Sequence, residues 1–292
     1  MNFQKIIIMS FIMYSLAFSA NASTKELPAI VPVEWLKQNI DNKKLVILDI
    51  REYKEYKKGH VKGAVNMPGL QSLFDAKTWM MPKLDFLKEL FSKAGIDNDS
   101  LVVAYDNGDF FWAARVYWIL EVLGHKNVGL LEYSYGDYLK KHLPTSLVDS
   151  NHVRKEFIPR VDNKQIQTKL STLLSIGKKT IIDGRAAEHY KGKESISKRF
   201  GHIPTAVNYA CTNNFQVAKG GNKIKGFEEL KKLYKDIPKD KEIILYCQGG
   251  AEAALNYIVL NKLGYKASVY DGSWKEWGND SNVPVENPSN KK

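Results

Sequence analysis

The amino-acid sequence predicts an α/β protein made of two tandem copies of one domain, each a parallel sheet with helices on both faces. Three observations predict it. The chain has 292 residues, too long for most single cores and comfortable for two domains of roughly 130 residues each. It also repeats itself. LVILDIREYKEYKKGHVKGAVNMP (45–68) matches TIIDGRAAEHYKGKESISKRFGHIPTAVNYA (180–210), and Gly59-His60 and Gly201-His202 stand 142 residues apart. LVVAYD (101–106) matches EIILYC (242–247), and GHKNVGLLEYSYGDY (124–138) matches GYKASVYDGSWKEW (264–277). A period near 140 means whole domains, because solenoid repeats run about 20 to 50 residues. Within each copy, short β-branched-rich runs alternate with amphipathic helical stretches, the pattern of a parallel sheet covered on both faces.

Taken in order, residues 1–22 read as a signal peptide outside the fold. Lys5 precedes the apolar run Ile6 to Phe18, and Ala20-Asn21-Ala22 offers the small-x-small pattern of a cleavage site. Thirteen residues are too few for a membrane span, which needs about 20. The mature chain, with no second long apolar stretch, is expected to be exported, and periplasmic if the source is Gram-negative. The first domain covers 23–147, with strands at Leu45–Ile50, Leu101–Tyr105 and Val128–Leu131 and a helix within Lys83–Gly95. Residues 148–162 lack periodicity and read as a linker. The second domain, 163–292, repeats the pattern with strands at Thr180–Asp183, Glu242–Tyr246 and Ala267–Tyr270 and a helix within Gly226–Ile237.

Composition narrows the partners. With 43 Lys+Arg against 32 Asp+Glu the formal charge is +11, falling to +10 once Lys5 is removed. The basic residues are scattered among acidic ones, and no DNA- or RNA-binding motif accompanies them, so nucleic acid is not an expected partner. Small anions are. Cys211 and Cys247 are the two cysteines, too few for a disulfide framework or a four-cysteine zinc site.

Cys247 carries the chemistry. It ends the apolar strand Ile243–Tyr246, and ligands of open parallel α/β sheets collect at the carboxyl ends of strands. Gln248-Gly249-Gly250-Ala251-Glu252-Ala253 follows, then a helical stretch to Leu263. The glycines allow successive N–H groups to point inward as a nest, and the helix adds the positive end of its dipole. A thiol in that cradle is expected to have a depressed pKa and to rest as thiolate.

The ordered motifs Asp183-Gly184-Arg185, Gly201 to Asn208 (GHIPTAVN), Tyr246-Cys247 and Tyr270-Asp271-Gly272-Ser273-Trp274 resemble the rhodanese family over nearly the whole mature chain. The resemblance implies two tandem rhodanese-like domains, as in thiosulfate and 3-mercaptopyruvate sulfurtransferases, with the catalytic cysteine in the second domain alone. Asp106 stands at the matching place of the first. It implies a Cys247 persulfide that takes sulfane sulfur from a small anionic donor and gives it to a thiophilic acceptor, cyanide or a thiol. No metal or organic cofactor is implied, and a monomer is expected. The donor would meet Gln248, Gly249, Gly250, Ala251 and Glu252. This loop matches neither subtype: the cations of Cys-Arg-Lys-Gly-Val-Thr and the serine of Cys-Gly-Ser-Gly-Val-Thr are both missing. Glu252 replaces the threonine, and either points away from the cradle or favours a less anionic donor. With Ala253 six places after Cys247, the phosphatase-like Cys-x5-Arg pattern is absent.

Arg185 matches the family arginine that contacts substrate, by bidentate binding of a carboxylate or thiosulfonate; the competing reading is a structural ion pair. Lys198 and Arg199 read as a solvated face or as rim charges. His60 and His202 occur in both copies and read as structural, Asp49 and Asp183 as loop organisers, and Trp274 and Trp277 as packing. Cys211 is either a small residue lining the pocket or a resolving thiol for Cys247. Two alternatives from other classes follow: a thiol–disulfide enzyme using Cys211 and Cys247, and a non-catalytic binding module.

Overall fold

The computed structural model describes residues 27–218 and 221–290; the expected signal peptide lies outside them. Each half holds a five-stranded parallel sheet. The first runs Ile30–Val31, Val128–Leu131, Leu101–Tyr105, Leu45–Asp49, Val65–Asn66 across the sheet, and the second runs Ile166–Gln167, Ala267–Tyr270, Ile243–Tyr246, Thr180–Asp183, Val207–Asn208. Position by position the two orders are the same. The central strands are buried along their whole length, which is why they read as continuous aliphatic runs rather than alternating ones. The edge strands have two residues each, too short to show any periodicity in sequence.

The expected helices are present and shorter than their periodic stretches, at Leu84–Lys93 and Phe227–Leu233. Leu87 and Phe91 face the core from the first of these, and Gly95, at φ 79°, ends it. Two further helices follow the loops at Asp106 and Cys247. Phe111–Val122 and Ala251–Lys262 each bury nine of twelve residues, since a helix apolar on all sides must be enclosed. They pack against each other and join both halves in one apolar core.

The linker is not a free tether. Residues 147–162 form neither helix nor strand, yet Arg160 and Asp162 N–H donate to Leu123 and Val122 carbonyls at 2.7 Å. Phe157 is buried edge-on against Phe91. The hairpin formed by Phe215–Ala218 and Gly221–Ile224 has no counterpart among the elements expected from the sequence. It crosses to the first half, where Ile224 N–H donates to Glu132 O (3.0 Å) and Asn222 Nδ2 to Gly108 O (2.8 Å). Among the described residues no helix is long and apolar enough to cross a membrane.

Candidate active site

Cys247 leaves the strand Ile243–Tyr246 at its carboxyl end and is buried. The chain then turns through Gly250, at φ 88°, into the helix Ala251–Lys262. The left-handed turn aims backbone donors at the sulfur. Gly250 N–H donates to Sγ at 3.0 Å, and the N–H groups of Gly249 and Ala253 also bond it. The neighbouring segment holds this loop in place. Cys247 N–H donates to Ser273 Oγ (3.2 Å), Trp274 N–H to Cys247 O (2.9 Å) and Lys275 N–H to Gln248 O (2.9 Å).

The first half supplies a wall. Arg115, fully buried on the helix Phe111–Val122, pairs with Asp271 at 2.5 Å, and Met81 N–H donates to the same carboxylate at 2.6 Å. A methyl group on Gly250 would lie 2.6 Å from Arg115 Nη1 and 2.9 Å from Asp271 Oδ1, so glycine is required there by space as well as by φ. On the outer side, Trp79 faces Gly249, and Lys275 Nζ sits 3.4 Å above the Trp79 ring.

The expected thiolate is corrected by the structure. Burial, and then the Glu252 carboxylate, push the Cys247 thiol up to about 12, outweighing the three N–H donors. A Gly-rich loop discloses its nest of N–H groups in sequence, but not the burial that outweighs it. Glu252 points into the cradle, which removes the outward alternative: it accepts Gln248 N–H at 3.4 Å, close enough for its charge to act on the Cys247 thiol. Burial raises the Glu252 carboxyl in turn. Gln248, Gly249, Gly250 and Ala251 all lie in this loop.

Arg185 is a second correction. Its side chain is 0 % exposed, and Nε and Nη2 are taken up by the fold while Nη1 has no hydrogen-bond partner among the described residues. Nε and Nη2 donate to both oxygens of Asp183 at 2.6 to 3.1 Å, and Nη2 also reaches Gly201 O at 2.7 Å. Arg51 makes the same bonds to Asp49 and Gly59 O in the half that has no cysteine at this place. A guanidinium enclosed in this way in both halves is a buried structural pair. Tyr246 and Tyr105 hydroxyls donate to the two aspartates, and Asn208 and Asn66 bridge the carbonyls of each Asp-x-Arg. Asp49 and Asp183 therefore organise their loops.

His60 Nδ1 donates to Tyr56 O and His202 Nδ1 to Tyr190 O, each ring stacked on that tyrosine, the duplicated structural role expected of them. Arg199 is no rim charge: its guanidinium donates to Val283 O and Trp277 O. Lys198 is exposed. Trp274 and Trp277 are fully buried packing residues. Cys211 is buried and free, as is Cys247; burial raises its thiol, with Glu252 and Cys247 adding to the shift. Its backbone N–H donates to Gly184 O.

Sequence reasoning missed Arg115, Trp79 and Lys275 as parts of this site, and held Asp271 and Ser273 only as members of a family motif. Arg115 had a signal, since it is the one cation inside the apolar run FWAARVYWILEV. Trp79 and Lys275 had none, because they meet only in the folded chain.

A parallel α/β sheet in duplicate, with a strand-end cysteine cradled by N–H groups in one copy, defines a class. The chain belongs to the rhodanese-like domain family, whose model matches residues 32–141 and again 167–280. It is 31% identical over 279 residues to the thiosulfate sulfurtransferase of Corynebacterium glutamicum, covering 90% of this chain and 92% of that one. It is 28% identical over 275 residues to the sulfur carrier protein TtuD of Thermus thermophilus, covering 88% and 95%. Among solved structures it resembles the 3-mercaptopyruvate sulfotransferase SseA of Escherichia coli, with a TM-score of 0.75 and 26% identity over 85% of this chain and 99% of that one. The protein is a sulfurtransferase, and acts between a sulfur donor and a sulfur acceptor.

Proposed function

We propose that Cys247 is the nucleophile and moves sulfane sulfur through a persulfide. One observation carries the reading: of two matching strand-end loops, only the second offers a thiol to its inward N–H groups. Cys247 attacks the outer sulfur of the donor and becomes Cys–S–S, while the remainder of the donor leaves with the electron pair. The N–H groups of Gly249, Gly250 and Ala253 stabilise the charge on sulfur. A thiol or cyanide then takes the outer sulfur, which restores Cys247. The donor is a small anion, thiosulfate or 3-mercaptopyruvate, both drawn towards a mature chain of net charge +10, the +11 of the full chain less Lys5. The apolar run ahead of Ala20-Asn21-Ala22 supports export, and a mature N-terminus at Ser23 in fractionated cells checks it.

The test is thiocyanate formation from cyanide with each donor in turn. Activity with at least one donor, abolished in Cys247→Ser, is the expected result. No thiocyanate from either donor overturns the reading.

A further inference from the structure

Every backbone contact on Cys247 Sγ is a donor: Gly250 N–H at 3.0 Å, with Gly249 and Ala253 N–H beside it. These groups occupy the sulfur lone pairs and offer nothing to the thiol hydrogen. The Glu252 carboxylate does. Its Oε2 accepts the N–H of Gln248, the residue directly after Cys247, at 3.4 Å, which sets the carboxylate beside the thiol, where its charge acts on the sulfur. Other charged groups act on Glu252 from the strand Thr180–Asp183 and the turn after it, namely Asp183 and Arg185. They are paired with each other at 2.6 Å and oppose one another at Glu252. Cys211, from the turn Cys211–Asn214, also faces it as a buried thiol.

We propose that Glu252 is a second catalytic residue of this sulfur transfer, accepting the Cys247 thiol proton as the S–S bond forms and returning it to the leaving group. The proposal rests on Cys247 being the nucleophile. It also selects the donor. With 3-mercaptopyruvate the Cys247 S–H proton passes to Glu252, Sγ bonds the donor sulfur, and the donor C–S bond breaks with its electron pair going to carbon. Glu252 then protonates that carbon, which gives pyruvate, and the transferred sulfur keeps its own hydrogen as Cys–S–SH. Atoms, charge and electrons balance with no outside oxidant or reductant. Thiosulfate brings a dianion against the carboxylate, in a loop that lacks side-chain cations, so the site favours a monoanionic thiol donor.

The full-length protein with Glu252→Gln and Glu252→Asp tests this through two rates. One is Cys247 alkylation by iodoacetamide as a function of pH. The other is single-turnover sulfur gain on Cys247 from 3-mercaptopyruvate. Glu252→Gln is expected to shift alkylation to lower pH, because the opposing carboxylate is gone, and to slow sulfur gain at least about tenfold, because no group remains to protonate the leaving carbon, a step that alkylation does not need. Glu252→Asp is expected to keep most of the sulfur transfer. Sulfur gain in Glu252→Gln equal to or faster than wild type overturns the proposal alone. Parallel loss of both rates in both variants marks a structural role and overturns it too. A wild type that alkylates but gains sulfur from neither 3-mercaptopyruvate nor thiosulfate overturns the reading of Cys247 and this proposal with it.

Discussion

At the end of Leu101–Tyr105, the Asp106 carboxylate accepts N–H bonds from Gly108, Phe110 and Ala113 at 2.8, 3.0 and 3.2 Å. At the end of Ile243–Tyr246, Cys247 Sγ takes the same place among Gly249, Gly250 and Ala253. The following helix begins behind a left-handed residue in both halves, Phe110 at φ 61° and Gly250 at φ 88°. Around each loop the Asp-x-Arg pair, the tyrosine hydroxyl and the bridging asparagine agree to about a tenth of an ångström. The cradle is thus a ring of inward N–H donors in both copies. The first copy fills it permanently with a tethered carboxylate, and the second fills it with a thiol that can carry sulfur. The scaffold belongs to the fold, and the residue at one position decides the function.

The strongest way to break this comparison acts where the halves meet. Arg115→Met leaves Asp271 buried without its partner, and breaking such a pair costs about 3–5 kcal/mol. A large fall in the denaturation midpoint is expected, with loss of sulfur transfer because Asp271 and Gly250 lose their backing. A stable, fully active Arg115→Met would remove the first half from the account of the site.

Asp106 allows a pH test. Burial raises its carboxyl from 3.8 to about 6, so the folded state favours the protonated form. The contribution to stability is full below about pH 4 and is lost as pH rises through about 6, amounting to roughly 3 kcal/mol at most. Denaturant unfolding of Asp106→Asn against wild type should therefore improve for the variant between pH 4 and 7. Cys247→Ser should show no such change relative to wild type over that range. A pH-independent difference for Asp106→Asn would contradict the buried-carboxylate description.

The smallest effect separates structure from substrate binding. Arg51→Lys and Arg185→Lys each lose a two-pronged bond to aspartate and are expected to cost a similar amount, about 2 kcal/mol. The KM for the sulfur donor should be unchanged in both. A raised KM in Arg185→Lys alone would return that residue to the substrate site.

Much of this was legible in the sequence, for physical reasons. Strands such as Leu101–Tyr105 and Thr180–Asp183 are buried on both faces and stand out as aliphatic runs. Cys247 stood out because the repeat set it beside Asp106. The edge strands and the hairpin at Phe215–Ile224 did not, since two-residue strands have no period and the hairpin's partners lie in the other half. The structural side of Arg185 was legible in the repeat, since Arg51 in the first copy makes the same bonds to Asp49 and Gly59 O. The acidity of Cys247 was misjudged because a nest of N–H groups is visible in a Gly-rich loop, whereas the burial of the sulfur and the inward turn of Glu252 exist only in the folded chain.

The central claim is that one of two equivalent cradles carries sulfur, and carries it on Cys247. Peptide mass mapping after incubation with 3-mercaptopyruvate, and separately with thiosulfate, tests it most directly. The account predicts one added sulfur of about 32 Da per chain with at least one donor, on the peptide containing Cys247 and not on that containing Cys211. Sulfur on Cys211 in place of Cys247, or a Cys247→Ser variant that still gains it, would contradict the account.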